Sequence, residues 1–157
     1  MASTKATSSQ LETLKKFNAC DIADALLKLK VPNAGFVPDL QLYAPAPESV
    51  TGSITIAPAS TVIFAAKEGP NMPILPDANI PGGKHWVDLT EPGTIVVMAQ
   101  PEGQKCAVLG GIMALRIKML NAKGIVVHGR VRDLVELRET SLPVSGPLQA
   151  FLVNIRL

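Results

Sequence analysis

Two short segments of the sequence combine residue types that bind small anions and divalent cations. In the first segment, Arg132 is followed directly by Asp133. A guanidinium can bind a carboxylate through two parallel hydrogen bonds, and a carboxylate can hold a hard cation such as Mg²⁺ or Mn²⁺. The second segment opens a predicted helix, whose free backbone N–H groups suit an anion, and it consists of Gly110, Gly111, Ile112 and Met113. Together the two segments predict a pocket for a small organic acid beside a metal ion.

The elements around these segments predict that both lie at one edge of a sheet. Residues 94–99 and 125–128 are apolar runs rich in β-branched residues, which is typical of buried parallel strands. Between them a helix is predicted from Gly110 to about residue 122, capped at Gly124, with an apolar stripe of Ile112, Met113, Ile117 and Leu120. Strand, helix and strand form a βαβ unit with a right-handed crossover, and the ligands of such units bind beyond the carboxyl ends of the strands.

Both segments also have ordinary structural explanations. An Arg-Asp pair after a strand is more often a surface salt bridge or a helix cap, and a glycine pair is more often part of a turn. Arg130 could assist Arg132, although a solvated side chain is the usual outcome at the end of a strand. His85 and His128 have no partner at ligand spacing in the sequence, so each is expected to be structural.

The composition bounds the class of protein. The chain has 157 residues, 47% apolar and 18% charged, which excludes an intrinsically disordered chain and predicts a substantial core. A net charge of +2 and an aromatic content of 4% argue against a nucleic-acid binder. Cys20 and Cys106 match no metal spacing and indicate reduced intracellular thiols. Because no apolar run approaches the ~20 residues of a membrane span and no signal peptide is visible, a soluble cytoplasmic protein is expected.

The start of the chain predicts a tail and two helices. Residues 1–8 are predicted to be a disordered tail, and residues 9–157 a single domain. Ser9 and Glu12 predict a capping box for the first helix. Asp21 is the predicted cap of a second helix that runs through Leu29.

The rest of the chain is predicted from its proline, glycine and apolar content. Residues 36–50 are expected to be an extended surface connection, and residues 53–56 and 61–65 are expected to be strands. Residues 67–84 hold prolines at 70, 73, 76 and 81 and a glycine pair, which predicts a long loop. The apolar run at residues 151–155 is β-like and is expected to pair with a sheet edge or to aggregate.

Four stretches of the sequence resemble the RraA-like family in order and spacing. They are residues 20–26, 91–97, 110–116 and 123–133, and the part from Gly110 to Asp133 is the most specific. The likeness extends from about residue 10 to about residue 144. The family includes the 4-hydroxy-4-methyl-2-oxoglutarate aldolases, and the double glycine is most similar to the fungal branch of the family.

This resemblance implies an α/β sandwich of the swivelling-domain kind, assembled as homotrimers or hexamers. It also implies a divalent-metal-dependent lyase that acts on small 2-oxo diacids, as an aldolase or an oxaloacetate decarboxylase, and releases pyruvate. The expected catalytic residues are Arg132, which matches the family's substrate-binding arginine, and Asp133, which matches the residue that holds the metal directly or through water. The expected backbone contacts to the substrate come from Gly110, Gly111, Ile112 and Met113.

The sequence departs from the family at two places. Many members carry an acidic residue where this chain has Gly111, so the expected metal site has one carboxylate fewer. Members usually continue with further strands beyond the point that residues 142–147 reach here, so the C-terminal strands are expected to be partly missing. An acidic residue that some relatives donate from that tail to a neighbouring subunit has no counterpart in this sequence.

Three functions are compatible with these features. The first is the metal-dependent lyase, which the complete set of Gly110, Gly111, Arg132 and Asp133 favours, although no residue identifies itself as the general base. The second is a catalytically silent regulatory or interaction protein, because bacterial RraA binds and inhibits an RNA-degrading enzyme. The third is an inactive truncated subunit, which a shortened C-terminus would explain.

Overall fold

The computed structural model describes residues 6–35, 37–49, 54–66 and 79–147. The helices in these ranges are α1 (Ser8–Leu14), α2 (Ala19–Lys28), α3 (Gly111–Met119) and α4 (Leu134–Glu139). The strands are β1 (Leu40–Ala44), β2 (Ala59–Ile63), β3 (Ile95–Ala99), β4 (Gly124–His128) and β5 (Val144–Pro147). Among the described helices, none is long and apolar enough to cross a membrane.

The five strands form one sheet in the order β1-β5-β4-β3-β2. Strands β2 to β5 pair in parallel, and β1 pairs with β5 in antiparallel fashion. The register between β3 and β4 has no shift, since Ile95 pairs with Gly124 and Ala99 with His128. The carboxyl ends of these two strands therefore finish level at one edge of the sheet. This arrangement confirms the mixed α/β fold and the βαβ unit made by β3, α3 and β4.

One apolar core cluster joins the strands to helices α3 and α4. Its fully buried members include Val96, Met98, Val127, Ala114, Ile117 and Leu137. The buried residues of α3 are Gly111, Ala114 and Ile117, and the first two are small enough to let the helix approach its neighbours closely. The apolar stripe predicted for α3 is wrong at Ile112, whose side chain is 78% exposed.

The end of α3 also differs from the predicted one. Asn121, shortly after the helix, takes the left-handed backbone conformation at φ 63°, which the prediction had given to Gly124. Gly124 is instead the first residue of β4. A Cβ atom on Gly124 would lie 3.2 Å from the carbonyl oxygen of Pro143, so this glycine serves close strand packing.

A second strand-helix-strand unit follows the first and is absent from the sequence-based prediction. Strand β4 is parallel to β5, and α4 connects the two. Helix α4 has six residues, of which Leu137 is buried, and this is too short for a periodic pattern to reveal it. Because α4 packs against α3 and β1, it holds the backbone that follows Asp133 in a fixed position.

The two N-terminal helices are present, but they begin at caps other than the predicted ones. The capping box of α1 joins Thr7 to Gln10, rather than starting at Ser9, so residues 7 and 8 of the predicted tail belong to the helix start. Residues 1–5 of that tail lie outside the described residues. In α2 the cap is Asn18, and Asp21 is its partner, because the Asp21 carboxylate accepts from the Asn18 backbone N–H at 3.0 Å.

The segment predicted to be a surface connection at residues 36–50 contains β1. Tyr43 and Ala44 of this strand are buried, because β1 pairs with β5 far along the chain. The strand predicted at residues 61–65 is β2, which begins at Ala59. Residues 54–56 form no strand, while residue 53, residues 67–78 and residues 151–155 lie outside the described part of the chain.

The pairing of β1 with β5 depends on a glycine beside an aromatic ring. The Tyr43 hydroxyl donates a hydrogen bond to the carbonyl oxygen of Pro147. Burial raises the pKa of Tyr43 from 10.0 to about 12, so the hydroxyl stays protonated and able to donate well into the alkaline range. A Cβ atom on Gly146 would lie 2.8 Å from Cε2 of Tyr43 and 2.8 Å from the carbonyl oxygen of Val127. Strand β5 therefore has no room for a larger residue at this position.

We expect Gly146→Ala to lower the free energy of unfolding by about 1–3 kcal/mol, the usual cost of an atom forced into a packed site. Urea denaturation of the full chain, followed by circular dichroism, measures the change. Gly82→Ala is the matched control, because a Cβ atom there meets nothing within 4 Å, and it should change stability by less than about 0.5 kcal/mol. Equal stability of the two variants would contradict this account of the β1–β5 packing.

Candidate functional site

The segment before α3 and the segment after β4 continue the parallel pairing beyond the strands. Leu109 pairs with Val131 in a parallel bridge, and the Arg132 backbone N–H donates to the carbonyl oxygen of Leu109 at 3.0 Å. Leu109 and Val131 are both buried, so the core fixes this pairing from one side. Gly110 and the Arg132-Asp133 pair consequently meet at the edge that the carboxyl ends of β3 and β4 form.

Gly110 lies directly against the side chains of both residues of this pair. A Cβ atom on Gly110 would lie 2.7 Å from Oδ2 of Asp133 and 3.1 Å from Nε of Arg132. The backbone of Gly110 is extended, with φ −138°, so glycine is needed here for space rather than for its backbone freedom. The missing side chain brings the backbone before α3 into contact with the guanidinium and the carboxylate.

The Arg132-Asp133 pair is open to solvent. Nε of Arg132 lies 3.5 Å from Oδ2 of Asp133, and the two side chains are 63% and 32% exposed. Asp133 is the N-cap residue of α4, yet its side chain makes no capping hydrogen bond. Of the two ordinary explanations of this dipeptide, the ion pair is present and the side-chain cap is not. The carboxylate therefore keeps oxygen lone pairs that a ligand can reach.

The first turn of α3 presents free backbone N–H groups. Its N-cap residue is Gly110, which has no side chain to accept a hydrogen bond from them. The N-terminus of a helix carries a partial positive charge and favours an anion. The side chain of Ile112 is exposed, and that of Met113 packs against the core. The substrate contacts predicted for these two residues are backbone contacts, and the positions of their side chains are compatible with that prediction.

Gly111 packs on the stem of Glu136, a residue of α4 that the sequence-based prediction does not include. A Cβ atom on Gly111 would lie 2.4 Å from Cβ of Glu136 and 3.6 Å from its Cα. The space that a side chain at position 111 would enter is thus already filled by Glu136. The spacing of three residues between Asp133 and Glu136 could have indicated a shared helix face, but only once α4 itself was recognised.

Gln100 joins the loop after β3 to the segment after β4, and it too is absent from the prediction. Its Nε2 donates to the carbonyl oxygen of Cys106 at 2.7 Å, and its Oε1 accepts from the Arg130 backbone N–H at 2.9 Å. Gly129 makes room for this side chain, because a Cβ atom there would lie 2.8 Å from Cβ of Gln100. A single glutamine after a strand carries no sequence signal of such a role.

The described contacts of the two histidines do not involve the Arg132-Asp133 pair. Nδ1 of His85 accepts a hydrogen bond from the Val87 backbone N–H at 3.3 Å and so caps the short turn Trp86–Leu89. His128 is exposed at the end of β4. Within the ranges that the structure describes, no group of three or more His, Cys, Asp or Glu residues could hold a metal ion.

A divalent cation at this edge would have Asp133 as its carboxylate ligand. Magnesium is commonly held by one or two carboxylates, while water and substrate oxygens complete its coordination. The solvent-accessible carboxylate of Asp133 fits this hard-oxygen chemistry. Gly111 supplies no second carboxylate, so such a cation would depend on oxygens from the substrate and from water.

Comparison with known proteins gives a family and a set of structural neighbours. A family model described as RraA-like, Aldolase/RraA, matches residues 19–147. An uncharacterized protein from Pseudomonas syringae pv. tomato str. DC3000 shares 21% identity at a TM-score of 0.69, over 98% of this chain and 61% of that one. Streptomyces coelicolor RraAS2, described as an unusual member of the RNase ES inhibitor RraA protein family, shares 18% identity at a TM-score of 0.66, over 96% and 69%. No curated protein matches this chain.

These likenesses to solved structures concern the fold alone. A third neighbour, described among novel cellulases from microbes associated with the gut ecosystem, shares 17% identity at a TM-score of 0.65, over 98% of this chain and 64% of that one. The descriptions of the neighbours differ while the fold is shared, which is the usual relation of fold to function. The chain spans 61% of the length of the Pseudomonas protein.

We expect Gly111→Ala and Gly110→Ala to have different effects. Gly111→Ala should lower the melting temperature by several degrees, because its Cβ atom would push α4 away from α3 at an overpacking cost of about 1–3 kcal/mol. Gly110→Ala should leave the melting temperature nearly unchanged, because the atoms it displaces belong to exposed side chains. Differential scanning fluorimetry measures both, and a larger loss in Gly110→Ala would contradict the geometry described above.

Proposed function

This chain belongs to the RraA-like family, and from that membership we propose that it is a divalent-metal-dependent lyase that cleaves 2-oxo diacids and releases pyruvate. The observation that carries the proposal is the contact of Gly110 with both side chains of the Arg132-Asp133 pair. That contact brings together a helix start, a guanidinium and a carboxylate, which suit an organic acid bound beside a cation. The candidate substrates are 4-hydroxy-4-methyl-2-oxoglutarate and oxaloacetate.

The proposed reaction breaks the bond between C3 and C4 of the substrate. In the aldol cleavage, the C4 hydroxyl gives its proton to a water molecule and becomes a ketone, and the electron pair of the broken bond moves to C3 and onward to the keto oxygen. In the decarboxylation, C4 leaves as CO₂ and the same electron pair moves to C3. Protonation at C3 then gives pyruvate in both reactions. A bound divalent cation supplies the Lewis acidity that stabilises the negative charge on the keto oxygen.

Each group at the carboxyl-end edge of the sheet has a separate role in the proposed reaction. Arg132 binds the carboxylate next to the keto group, since its guanidinium is accessible and offers two parallel donors. The first turn of α3 directs its partial positive charge at the oxygen where negative charge develops, a fixed dipole that needs no reorganisation. Asp133 holds the cation, since its side chain, on a left-handed backbone at φ 59°, makes no capping hydrogen bond to α4.

A non-catalytic regulatory protein is the second candidate, and one observation favours it. Glu136 fills the space where a second carboxylate at position 111 would lie. Against this candidate, a surface that only contacts a partner protein would not require the Arg132-Asp133 pair. Release of pyruvate distinguishes the two.

We expect Asp133→Asn to reduce Mg²⁺-stimulated pyruvate release from oxaloacetate by about 100-fold or more, because Lewis-acid stabilisation is worth several kcal/mol. Asparagine tolerates the left-handed backbone of this position, so the variant should fold. The assay couples pyruvate to NADH oxidation, and electron paramagnetic resonance of Mn²⁺ measures cation binding directly. Binding of Mn²⁺ should weaken in the same variant.

Arg132→Lys is the matched control for this experiment. It keeps the positive charge but loses the planar fork, so KM should rise or kcat should fall while Mn²⁺ binding and the melting temperature stay unchanged. Unchanged pyruvate release in Asp133→Asn would exclude the metal role of Asp133. A collapse of the melting temperature in Arg132→Lys would make Arg132 a structural residue.

We also propose that the chain assembles as a homotrimer or hexamer, as the resemblance implies. Across their described residues, α1 and α2 bury no side chain, and a groove of about 620 Å³ beside them is lined by apolar residues that include Phe17, Ile22 and Leu26. Leu27 and Leu29 are 61% and 74% exposed. A second copy of the chain that covers this groove would remove apolar surface from water.

Light scattering on the purified full chain should therefore give a mass three or six times that of the chain. Phe17→Glu, which places a charge in the groove, should shift the mass towards the monomer. Lys16→Glu is the control, since Lys16 is exposed and lies outside the groove lining. A stable wild-type monomer would contradict the assembly, and aggregation would support the third candidate, an inactive truncated subunit.

A further inference from the structure

Arg130 and Arg132 lie on the same side of one extended segment. The Val108 backbone N–H donates to the carbonyl oxygen of Arg130 at 2.9 Å, and the Arg132 backbone N–H donates to the carbonyl oxygen of Leu109 at 3.0 Å. Val131, between the two arginines, is fully buried. Because successive side chains of an extended segment point to opposite faces, the two arginines share the outer face, with Cα atoms about 7 Å apart.

Arg130 is held by the loop that follows β3. Its backbone N–H donates to Oε1 of Gln100 at 2.9 Å, and its Nε donates to the carbonyl oxygen of Gln104 at 3.2 Å. The same loop is fastened by the bond from Nε2 of Gln100 to Cys106. In the described ranges, no carboxylate forms a salt bridge with Arg130, in contrast to Arg116 and Arg132. The guanidinium is thus oriented by one neutral carbonyl group, that of Gln104, and its positive charge is available to another ligand.

A cavity of about 500 Å³ lies in front of this arginine, at the carboxyl ends of β3 and β4. Its charged lining residues are Arg130, Lys105 and Glu102, and His128 also borders it. Two cationic side chains therefore face one carboxylate in this lining. Ligands of parallel sheets bind at this edge, and an anion is the ligand that this lining favours.

We propose that Arg130, together with Lys105 and His128, forms the binding site for the second carboxylate of the diacid substrate. This inference rests on the proposed function, in which Arg132 binds the carboxylate next to the keto group. Two guanidinium groups on one face, two residues apart, can each bind one end of a short dicarboxylate. Arg130 therefore sets the specificity for diacids over monoacids. The sequence predicts a solvated side chain at Arg130, whereas in this proposal the side chain binds the second carboxylate of the substrate.

The test is the Arg130→Gln variant of the full chain, compared with the wild type on diacid and monoacid ligands. KM for oxaloacetate should rise roughly tenfold to hundredfold, because a charge-assisted hydrogen bond pair to a carboxylate is lost. The inhibition constant of pyruvate, which has a single carboxylate, should stay unchanged. Lys105→Gln should weaken the diacid by a smaller factor, because a lysine offers one charge without the planar fork.

Lys123→Gln is the matched control for the loss of a positive charge, since Lys123 is exposed and directly precedes β4 at its opposite end. It should change neither KM nor the inhibition constant. An equal KM for oxaloacetate in Arg130→Gln and the wild type would overturn the inference. A rise in the inhibition constant of pyruvate equal to the rise in KM would also overturn it, because the effect would then not concern the second carboxylate.

Calorimetric titration with 2-oxoglutarate separates this inference from the proposed function. In one outcome, the wild type binds 2-oxoglutarate, the Arg130→Gln variant does not bind it, and neither protein releases pyruvate from oxaloacetate. The lyase function is then wrong and the carboxylate site stands. If the wild type cleaves oxaloacetate and Arg130→Gln equals it in both assays, the carboxylate site is wrong and the lyase function stands. A wild-type chain that neither binds nor cleaves overturns both.

Discussion

The absence of a side chain at Gly110 is the constraint on which the candidate site depends. The start of α3 and the Arg132-Asp133 pair belong to segments that run side by side, and the backbone of one touches the side chains of the other. A single methyl group at position 110 would lie 2.7 Å from Oδ2 of Asp133 and would force that carboxylate to move. The distance between the anion-binding helix start and the charged pair is therefore set by covalent geometry and steric contact, and not by the weak attraction of two exposed ions.

The sheet supplies the rigidity that this contact needs. Strands β3 and β4 pair without a register shift, and the buried pair Leu109 and Val131 extends the pairing past their ends. Slippage by one residue would turn these apolar side chains to solvent and bring the arginines into the core, which is strongly unfavourable. The same burial that stabilises the fold thereby decides which side chains of residues 130–132 reach the outer face. The burial of Leu109 and Val131 therefore determines both the packing of this edge and the geometry of the site.

Sequence patterns predicted the part of this edge that is local and left out the part that depends on distant contacts. Strands β3 and β4 are β-branched runs, and their apolar composition alone indicates burial. The end of strand β1, at Tyr43 and Ala44, is buried where the strand pairs with β5, about a hundred residues further along the chain, and the prolines around β1 favour the opposite interpretation. Helix α4 is too short to show a period, so Glu136 and its contact with Gly111 could not be foreseen. The apolar stripe predicted for α3 fails at Ile112 because the buried face of the helix consists of Gly111, Ala114 and Ile117.

The backbone conformation of Asp133 connects the packing of the fold with the geometry of the candidate site. A left-handed conformation at a residue other than glycine costs of the order of 1 kcal/mol, and it persists only where the surroundings fix it. Here the bond from Arg132 to Leu109 fixes the preceding residue, and the packing of α4 on α3 and β1 fixes the following ones. The strain turns the chain from β4 into α4 at the sheet edge and leaves the carboxylate without a capping bond. An ordinary N-cap would have used that carboxylate to stabilise the helix, so the fold forgoes local stability at the acidic side chain that lies against Gly110.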